Sequence, residues 1–255
     1  MITKPVNYAA DTNAITPMLA NLKNFRIEGI ASDKAEKFPT YLDSANHTVV
    51  TVYQEGKALG TFEIGKSAVG PENSYVKKPN DNKILIGSNI NATNFTKSLN
   101  QYRFKYVTSI QSAGIKTIQI KSTDSNKVDL LIKQDSANHW SLGPDSIGHN
   151  YIDAFLNMLG NMNTDDFKDT TMTSFPPPVY TITIAGTQPL TINFYKENGV
   201  PVHYIMQVSG IQQLFRYSDA TVTPWFKKKT DFIPPPPQKQ TPPTDTVPKD
   251  KKVKK

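Results

Sequence analysis

Residues 15–22 read ITPMLANL and residues 152–159 read IDAFLNML, and these two similar stretches are the strongest indication of the fold. In each of them an apolar residue recurs at positions i, i+3, i+4 and i+7, and one more follows three positions later. That spacing places the apolar side chains on one face of an α-helix. The sequence therefore predicts two amphipathic helices with the same pattern. The two sets are Ile15, Met18, Leu19, Leu22 and Phe25, then Ile152, Phe155, Leu156, Leu159 and Met162.

After each predicted helix, apolar and polar residues alternate as they do in half-buried strands. Glu55-Gly56 and Ala185-Gly186 each stand between the first two alternating segments of a set and predict a tight hairpin turn. Two shorter strands follow each hairpin. The predicted strands are residues 48–53, 59–64, 75–78 and 84–86 after the first helix, and residues 179–184, 190–195, 204–207 and 214–217 after the second.

Both sets end in a run that mixes aromatic and basic residues, at residues 102–106 and 225–229. In the first run the rings of Tyr102, Phe104 and Tyr106 alternate with Arg103 and Lys105. Stacking of nucleic-acid bases on such rings is one interpretation. The favoured one is a strand whose rings face the core and whose cations face water. We expect no nucleic-acid binding, because residues 1–233 carry a formal charge of only +3.

The shared order of helix, hairpin, short strands and closing run indicates an internal repeat. The alternative, that an α+β chain shows such coincidences by chance, stays open. We predict an α+β fold of two tandem, similar subdomains, each an amphipathic helix packed on a mostly antiparallel sheet. The first subdomain is predicted at residues 1–110, the second at residues 111–233, and a disordered tail rich in proline and lysine at residues 234–255.

Three predicted strands between the two sets have no counterpart before the first helix, at residues 114–120, 128–133 and 139–142. We assign them to the second subdomain. Their absence before residue 5 leads us to expect that equivalent N-terminal strands are missing from the first subdomain. Either the gene model or the choice of fragment would account for such a loss.

Charge and cysteine usage narrow the possible functions. Of the formal net charge of +7, residues 234–255 supply +4 through six lysines and two aspartates. This proline-rich, basic segment is too polar to fold alone and is predicted to be a solvated extension. The chain has no cysteine, which excludes disulfides, thiolate catalysis and thiolate metal sites. The longest apolar runs are only a few residues long, so no membrane span is predicted.

The order of several residues over about residues 5–232 resembles the family of the domain of unknown function DUF4340. This resemblance implies a bacterial envelope protein on the periplasmic side of the inner membrane, held by an N-terminal segment that this chain lacks. It also implies genes beside components of an ABC-type transporter related to gliding motility, and it supplies no catalytic residues. The residues that carry the resemblance are Trp140, Leu142 and Pro144 before the second helix, Gly65-Lys66, Tyr75, Leu99, Tyr102 and Arg103.

One motif invites a wrong assignment. Residues 60–67 satisfy the Walker A pattern of nucleotide-binding loops through Gly60, Gly65, Lys66 and Ser67. A phosphate-binding loop needs glycine-rich backbone before a helix, whereas the four intervening residues alternate like a strand and a turn follows Ser67. We therefore judge the match a false positive and predict no nucleotide or other cofactor.

No other group of residues predicts an active site. The four histidines lack the spacing of a metal-binding helix face, and no metal site is predicted. His139, Trp140 and His149 are weak candidates for ligand binding near the entrance of the second helix, and a histidine in a turn is more often simply solvated. The acidic residues Asp165, Asp166 and Asp169 could bind a hard cation, but a role in a turn is the favoured interpretation.

From these observations we expect a non-catalytic envelope protein that acts as an accessory or scaffold component of a membrane transport or motility complex, with protein partners. The alternative is a module that binds a small molecule or glycan in a cleft between the two subdomains. A third and weaker possibility is a hydrolase with a site near His139 and His149.

Overall fold

The fold is α+β and contains two antiparallel sheets with few helices. The computed structural model describes residues 1–42, 48–108, 110–123, 127–164, 166–170, 172 and 174–234. The disorder predicted for the tail falls almost entirely on residues 235–255, which lie outside the described residues.

Within the described part of the chain, two helices are longer than one turn: α1 (Thr12–Asn24) and α4 (His149–Gly160). The side chain of Asp11 caps α1 by accepting a hydrogen bond from the backbone N–H of Asn13, as N-cap residues do. The remaining α-helices are single turns: α2 (Phe38–Tyr41), α3 (Leu99–Tyr102), α5 (Asp219–Val222) and α6 (Lys229–Phe232). Short 3₁₀-helices lie at Ala35–Lys37, Ala92–Asn94, Ser112–Gly114 and Thr223–Trp225.

The first sheet contains five antiparallel strands in the order β1-β5-β4-β3-β2. The predicted turn at Glu55-Gly56 is confirmed, and both residues have positive φ, as the tight turns of hairpins require. In the strand order given above, β1 and β2 are the two edges of the sheet. The strands are β1 (Arg26–Ser32), β2 (Thr48–Gln54), β3 (Lys57–Ser67), β4 (Ser74–Lys77) and β5 (Ile84–Ser88).

The second sheet contains nine antiparallel strands in the order β10-β14-β13-β12-β11-β6-β7-β8-β9. The predicted turn at Ala185-Gly186 is wrong, because β11 extends through both residues. The strands are β6 (Ile115–Ser122), β7 (Val128–Gln134), β8 (Trp140–Leu142), β9 (Asp145–Ile147), β10 (Phe167–Lys168), β11 (Tyr180–Gly186), β12 (Leu190–Glu197), β13 (His203–Val208) and β14 (Leu214–Ser218).

The five strands that follow each long helix have the same order. In both sheets, the first strand after the helix pairs with the last, and the other four form an antiparallel meander. The second sheet then continues beyond the meander, because β6 pairs with the outer edge of β11 and β7 to β9 follow. In the first sheet no described strand pairs with the corresponding outer edge of β2.

Burial differs between the two sheets. Twenty-eight buried apolar residues form one cluster that joins the second sheet to α4, including Ile182, Ile192 and Phe194. The described residues of the first sheet contribute a cluster of only three buried apolar side chains, Ile64 and Val76 with nearby Ile90. The bulk of the hydrophobic stabilisation therefore lies in the second sheet, since it scales with the apolar area removed from water.

The two long helices, α1 and α4, also differ in how many of their apolar side chains are buried. In α4 the predicted face is confirmed, because all four of its predicted helical positions are buried. In α1 the prediction is wrong for Leu19, which is 55% exposed, and only Ala14 is buried. Pro17 lies inside α1, where it removes one backbone hydrogen bond. Phe25 follows α1 and stacks on Phe62 at a centroid distance of 5.3 Å, so the helix reaches the first sheet mainly through its C-terminal end.

Candidate functional site

The described residues bring chemically useful side chains together where the N-terminal segment meets β10 and β14. Residues 103–107 run between this segment and residues 162–164. Phe104 N–H donates to Ala9 O at 2.9 Å, and Val107 N–H donates to Met162 O at 2.8 Å. The aromatic-basic run therefore links the part of the chain around α1 to the end of α4 by backbone hydrogen bonds.

The predicted orientation of this run is wrong. Arg103 is completely buried, whereas Phe104 and Tyr106 are 41% and 55% exposed. The segment is not a regular strand either: Tyr102 ends α3, and Arg103 and Tyr106 form only isolated bridges, with Ala10 and Asn163. Burial of a charge is tolerated only when it is paired, and the guanidinium of Arg103 donates to Asp169 Oδ1 at 2.7 Å and to Asn100 Oδ1 at 3.1 Å.

Aromatic rings complete the surroundings of Arg103. Its guanidinium lies 4.5 Å from the ring centroid of Phe167 and 5.6 Å from that of Tyr8. Burial raises the pKa of the Tyr8 hydroxyl, while the positive charge of Arg103 acts in the opposite direction. Among the described residues, Arg103 Nε has no hydrogen-bond partner. The guanidinium of Arg103 thus contacts the ring of Tyr8 in the N-terminal segment. It contacts β10 through the ring of Phe167, and the following residue through the carboxylate of Asp169.

A groove of about 1020 Å³ opens beside this ion pair. Residues 6–8, residues 207 and 210–214 of the second sheet and its loop, and Phe175 line it. Amide side chains supply most of its polar groups: Asn7, Gln207, Gln212 and Gln213. The carboxylate of Asp169 also borders the groove and is 43% exposed, although one of its oxygens is held by Arg103.

Some of the polar groups in the groove are held in place by the fold. The amide of Gln213 donates to the carbonyl oxygens of Leu214 at 2.8 Å and Lys168 at 3.1 Å. Gln207 accepts a hydrogen bond from the hydroxyl of Tyr195 at 2.9 Å. Lys168 pairs with Glu197 at 2.8 Å, which leaves the groove without an unpaired lysine among its described residues. Amides, ring faces and one carboxylate suit a neutral ligand with many hydroxyl or amide groups.

The weak candidates of the sequence lie elsewhere. Trp140 is buried in the core of the second sheet, while His139 and His149 are exposed beside it. The ring of His139 approaches Asp135 at 3.4 Å and that of His149 approaches Asp153 at 3.9 Å. A hydrogen bond from the backbone N–H of His139 lowers the pKa of the Asp135 carboxyl group. The structure thus gives each histidine a local partner, and a ligand-binding role for them stays a prediction.

The Walker-like residues lie in and at the end of β3, as the sequence predicted from their alternation. Lys66 Nζ donates to the carbonyl oxygens of Pro39 and Thr40, both at 3.1 Å, at the end of α2. A Cβ atom at Gly65 would overlap with the backbone of residues 41–42. Close packing of α2 on β3 therefore accounts for both residues, and the absence of nucleotide binding stays a prediction.

The acidic residues near β10 make ion pairs. Asp169 pairs with Arg103, and Asp166 lies 3.8 Å from Arg216; Asp165 lies outside the described residues. Within the described ranges, no three His, Asp or Glu side chains are arranged to hold a metal ion. Asp169 is recognisable from the sequence but the groove is not, because the groove depends on residues 6–8 and 207–214, which are far apart in sequence.

Comparison with known proteins gives one positive result. The model of a family described as a domain of unknown function, DUF4340, matches residues 1–178. No curated protein and no solved structure matches the chain. None of the described helices combines the length and the apolar character that a membrane span requires.

Proposed function

Since the chain belongs to the DUF4340 family, we propose that it is a non-catalytic accessory or scaffold component of a membrane transport or motility complex. In this proposal it works in the bacterial cell envelope, on the periplasmic side of the inner membrane. It is associated with the membrane and acts by binding protein partners.

The observation that carries the proposal is where large apolar side chains are exposed. Of the thirteen that the described residues expose, ten lie within residues 1–110. They include Leu19 on α1 and both Ile27 and Ile30 on the edge strand β1. Exposed apolar surface of this kind is typical of protein interfaces, because burying it on association is favourable.

Site-specific photo-crosslinking tests this proposal. A photo-reactive amino acid replaces Ile27 on β1, and in a matched control it replaces Val200, which is fully exposed in the turn between β12 and β13. In cells that naturally produce the protein, we expect the probe at position 27 to capture a membrane transport or motility protein. The control should capture none. Equal capture at both positions, or none at position 27, would contradict the proposal.

A second candidate function rests on the groove. We propose that the groove between residues 6–8 and the second sheet binds a glycan or another neutral small molecule, because amides and aromatic rings line it. Asn7 and Gln212 are exposed, so replacing both by alanine should spare the fold. Calorimetric titration with a panel of neutral oligosaccharides should show binding that this double variant weakens at least tenfold, while Gln119→Ala on β6 leaves it unchanged. Absence of binding by the unmodified protein would contradict this candidate.

We also propose that the two sheets are copies of one ancestral unit. The shared strand order supports this, as does the spacing of core residues that face one another across three neighbouring strands. In both sheets these partners are separated by 12 and then 9 residues, which shifts β3 and β4 by one residue from the alignment suggested by the sequence and leaves β5 in agreement with it. An experimental structure in which residues 60–88 and 190–218 fail to superpose would contradict the duplication. The facing residues are Ile64, Val76 and Leu85, and Phe194, Met206 and Phe215.

A further inference from the structure

The edge strand β2 is the most distinctive unpaired feature of the first sheet. On the corresponding side of the second sheet, β11 pairs with β6 along its whole length. Within the described residues, β2 pairs only with β3. Natural proteins usually protect such an edge with charged residues, proline or a bulge, because unpaired backbone groups attract another strand. Residues 48–54 contain no charged residue and no proline, and the one irregularity in the pairing of β2 with β3 lies near the end of the strand, between Val52 and Tyr53.

Side chains on both faces of β2 are incompletely covered. On the outer face Val49 is 54% exposed and Tyr53 is 64% exposed. On the inner face Val50 and Val52 are only half-buried, whereas Ile182 and Ile184 at the corresponding positions of β11 are buried against β6. A strand added beside β2 would cover apolar surface on both faces.

The sequence of β2 is complementary to itself. When two copies are placed antiparallel with Thr51 opposite Thr51, Val50 faces Val52 on the inner side, and Val49 faces Tyr53 on the outer side. Pairs of β-branched and aromatic side chains are favourable neighbours across antiparallel strands, as are two threonines. No like charges meet in this register, because the strand has none.

We propose that two copies of this chain associate through antiparallel pairing of β2 with β2 about a two-fold axis at Thr51. The two five-stranded sheets then form one continuous sheet across the interface. This arrangement is closed with respect to β2, since both subunits use the same edge strand and neither β2 remains free for a third copy. The inference goes beyond the accessory function proposed above and uses the opposite edge of the sheet from Ile27.

Disulfide crosslinking tests the register, and the chain is well suited to it because it has no cysteine of its own. In the proposed dimer, a Thr51→Cys substitution places two thiols opposite each other, with Cα atoms about 5 Å apart and within reach of a disulfide. Gln54→Cys is the matched control on the same strand. Its two copies lie six residues apart along the pair, or roughly 20 Å.

On mild oxidation, we expect Thr51→Cys to convert to covalent dimer at least ten times faster than Gln54→Cys. Equal rates would show random collision and would overturn the proposal. Failure of Thr51→Cys to crosslink would overturn it as well.

Sedimentation equilibrium tests the association without a crosslink. The unmodified protein should have about twice the monomer mass of 28.4 kDa. Thr51→Lys places two ammonium groups at the axis and should return the protein to monomer. The matched control is Thr183→Lys, because Thr183 faces Thr191 in the second sheet as Thr51 faces Thr61 in the first, and it should leave the dimer intact.

A monomeric mass for the unmodified protein at concentrations up to about 10⁻⁴ M would overturn the proposal, as would equal dissociation by both lysine variants. Circular dichroism of each variant shows whether the fold is retained. A monomeric protein would still capture a partner through Ile27 if the accessory function is correct, so the two proposals fail separately.

Discussion

The two sheets have the same order of five strands, but they differ in how well they are enclosed. The second sheet is extended by β6 to β9 and covered by α4, whose apolar face is fully buried. The first sheet ends at β2 and contacts α1 mainly through Leu22 and Phe25. We interpret the difference as a division of roles, in which the second sheet supplies stability and the first, in the proposals above, supplies surface for association.

Substitution of core isoleucines should give the largest difference between the sheets. Ile192→Ala on β12 leaves a cavity in a large and rigid core, and we expect it to lower the free energy of unfolding by about 4 kcal/mol. Ile64→Ala on β3 should cost only about 2 kcal/mol, because the surrounding small cluster can collapse. Urea titration of both variants measures the two losses. Equal losses would contradict the comparison.

The next largest effect concerns the ion pair of Arg103 with Asp169, which joins the residue after α3 to the residue after β10. Arg103→Met keeps most of the side-chain volume but removes the ion pair with Asp169. We expect a loss of about 2 to 3 kcal/mol, below the usual cost of breaking a buried pair, because the exposed part of Asp169 can be hydrated. Calorimetry should then show the first sheet melting before the second. Asp153→Asn, at an exposed helical position, is the control and should change little.

Two glycines of β3, Gly65 and Gly60, differ in the space available for a side chain. Gly65→Ala brings a methyl group against the backbone of residues 41–42 and should cost about 2 kcal/mol. Gly60→Ala meets no atom within 4 Å and should be neutral or slightly stabilising. Thermal unfolding distinguishes the two variants. Equal stability of the two variants would contradict close packing of α2 on β3 at Gly65.

The smallest effect concerns ion pairs on the two sheets. Burial tends to raise the pKa of Glu197, but hydrogen bonds from Lys168 at 2.8 Å and Arg216 at 2.6 Å outweigh it, and the pKa is lowered. Glu197→Gln should therefore cost about 1 kcal/mol at neutral pH. Glu63→Gln in the first sheet, where Lys77 lies 3.4 Å away, should cost less than about 0.5 kcal/mol.

The effect of Glu197 should depend on pH. Because its pKa is lower in the folded than in the unfolded protein, its contribution is present above the unfolded value of about 4.3 and is lost as the pH falls through the folded value. Urea titrations of the unmodified protein and Glu197→Gln between pH 7 and pH 3 should therefore converge at the acidic end. A constant difference over this range would contradict the assignment.

Local sequence patterns predicted the elements but not how well they are enclosed. Strand alternation located β2 to β8 and β11 to β14, and helical spacing located α1 and α4. The same spacing failed for Leu19, because a pattern shows which side of a helix is apolar but not whether anything covers it. The short strands β9 and β10 and the bulged strand β1 carry no clear alternation and were missed.

The candidate site depended on contacts that no local pattern contains. The inward orientation of Arg103 follows from Asp169 and Phe167, more than 60 residues away, and from Tyr8 on the other side. Period-two alternation predicted a strand here, whereas Tyr102 ends α3 and residues 103 and 106 form only isolated bridges, and it also could not decide which side chains face inward. Together these partners allow a buried cation, which reverses the expectation.

Native-state hydrogen exchange tests most directly whether two sheets of one topology differ in stability as their burial indicates. Amides of β6 and β11 to β13 should exchange only through global unfolding, and those of β3 to β5 through an opening that costs several kcal/mol less. Exchange of both sheets with the same free energy would contradict the division between a stabilising sheet and an associating one.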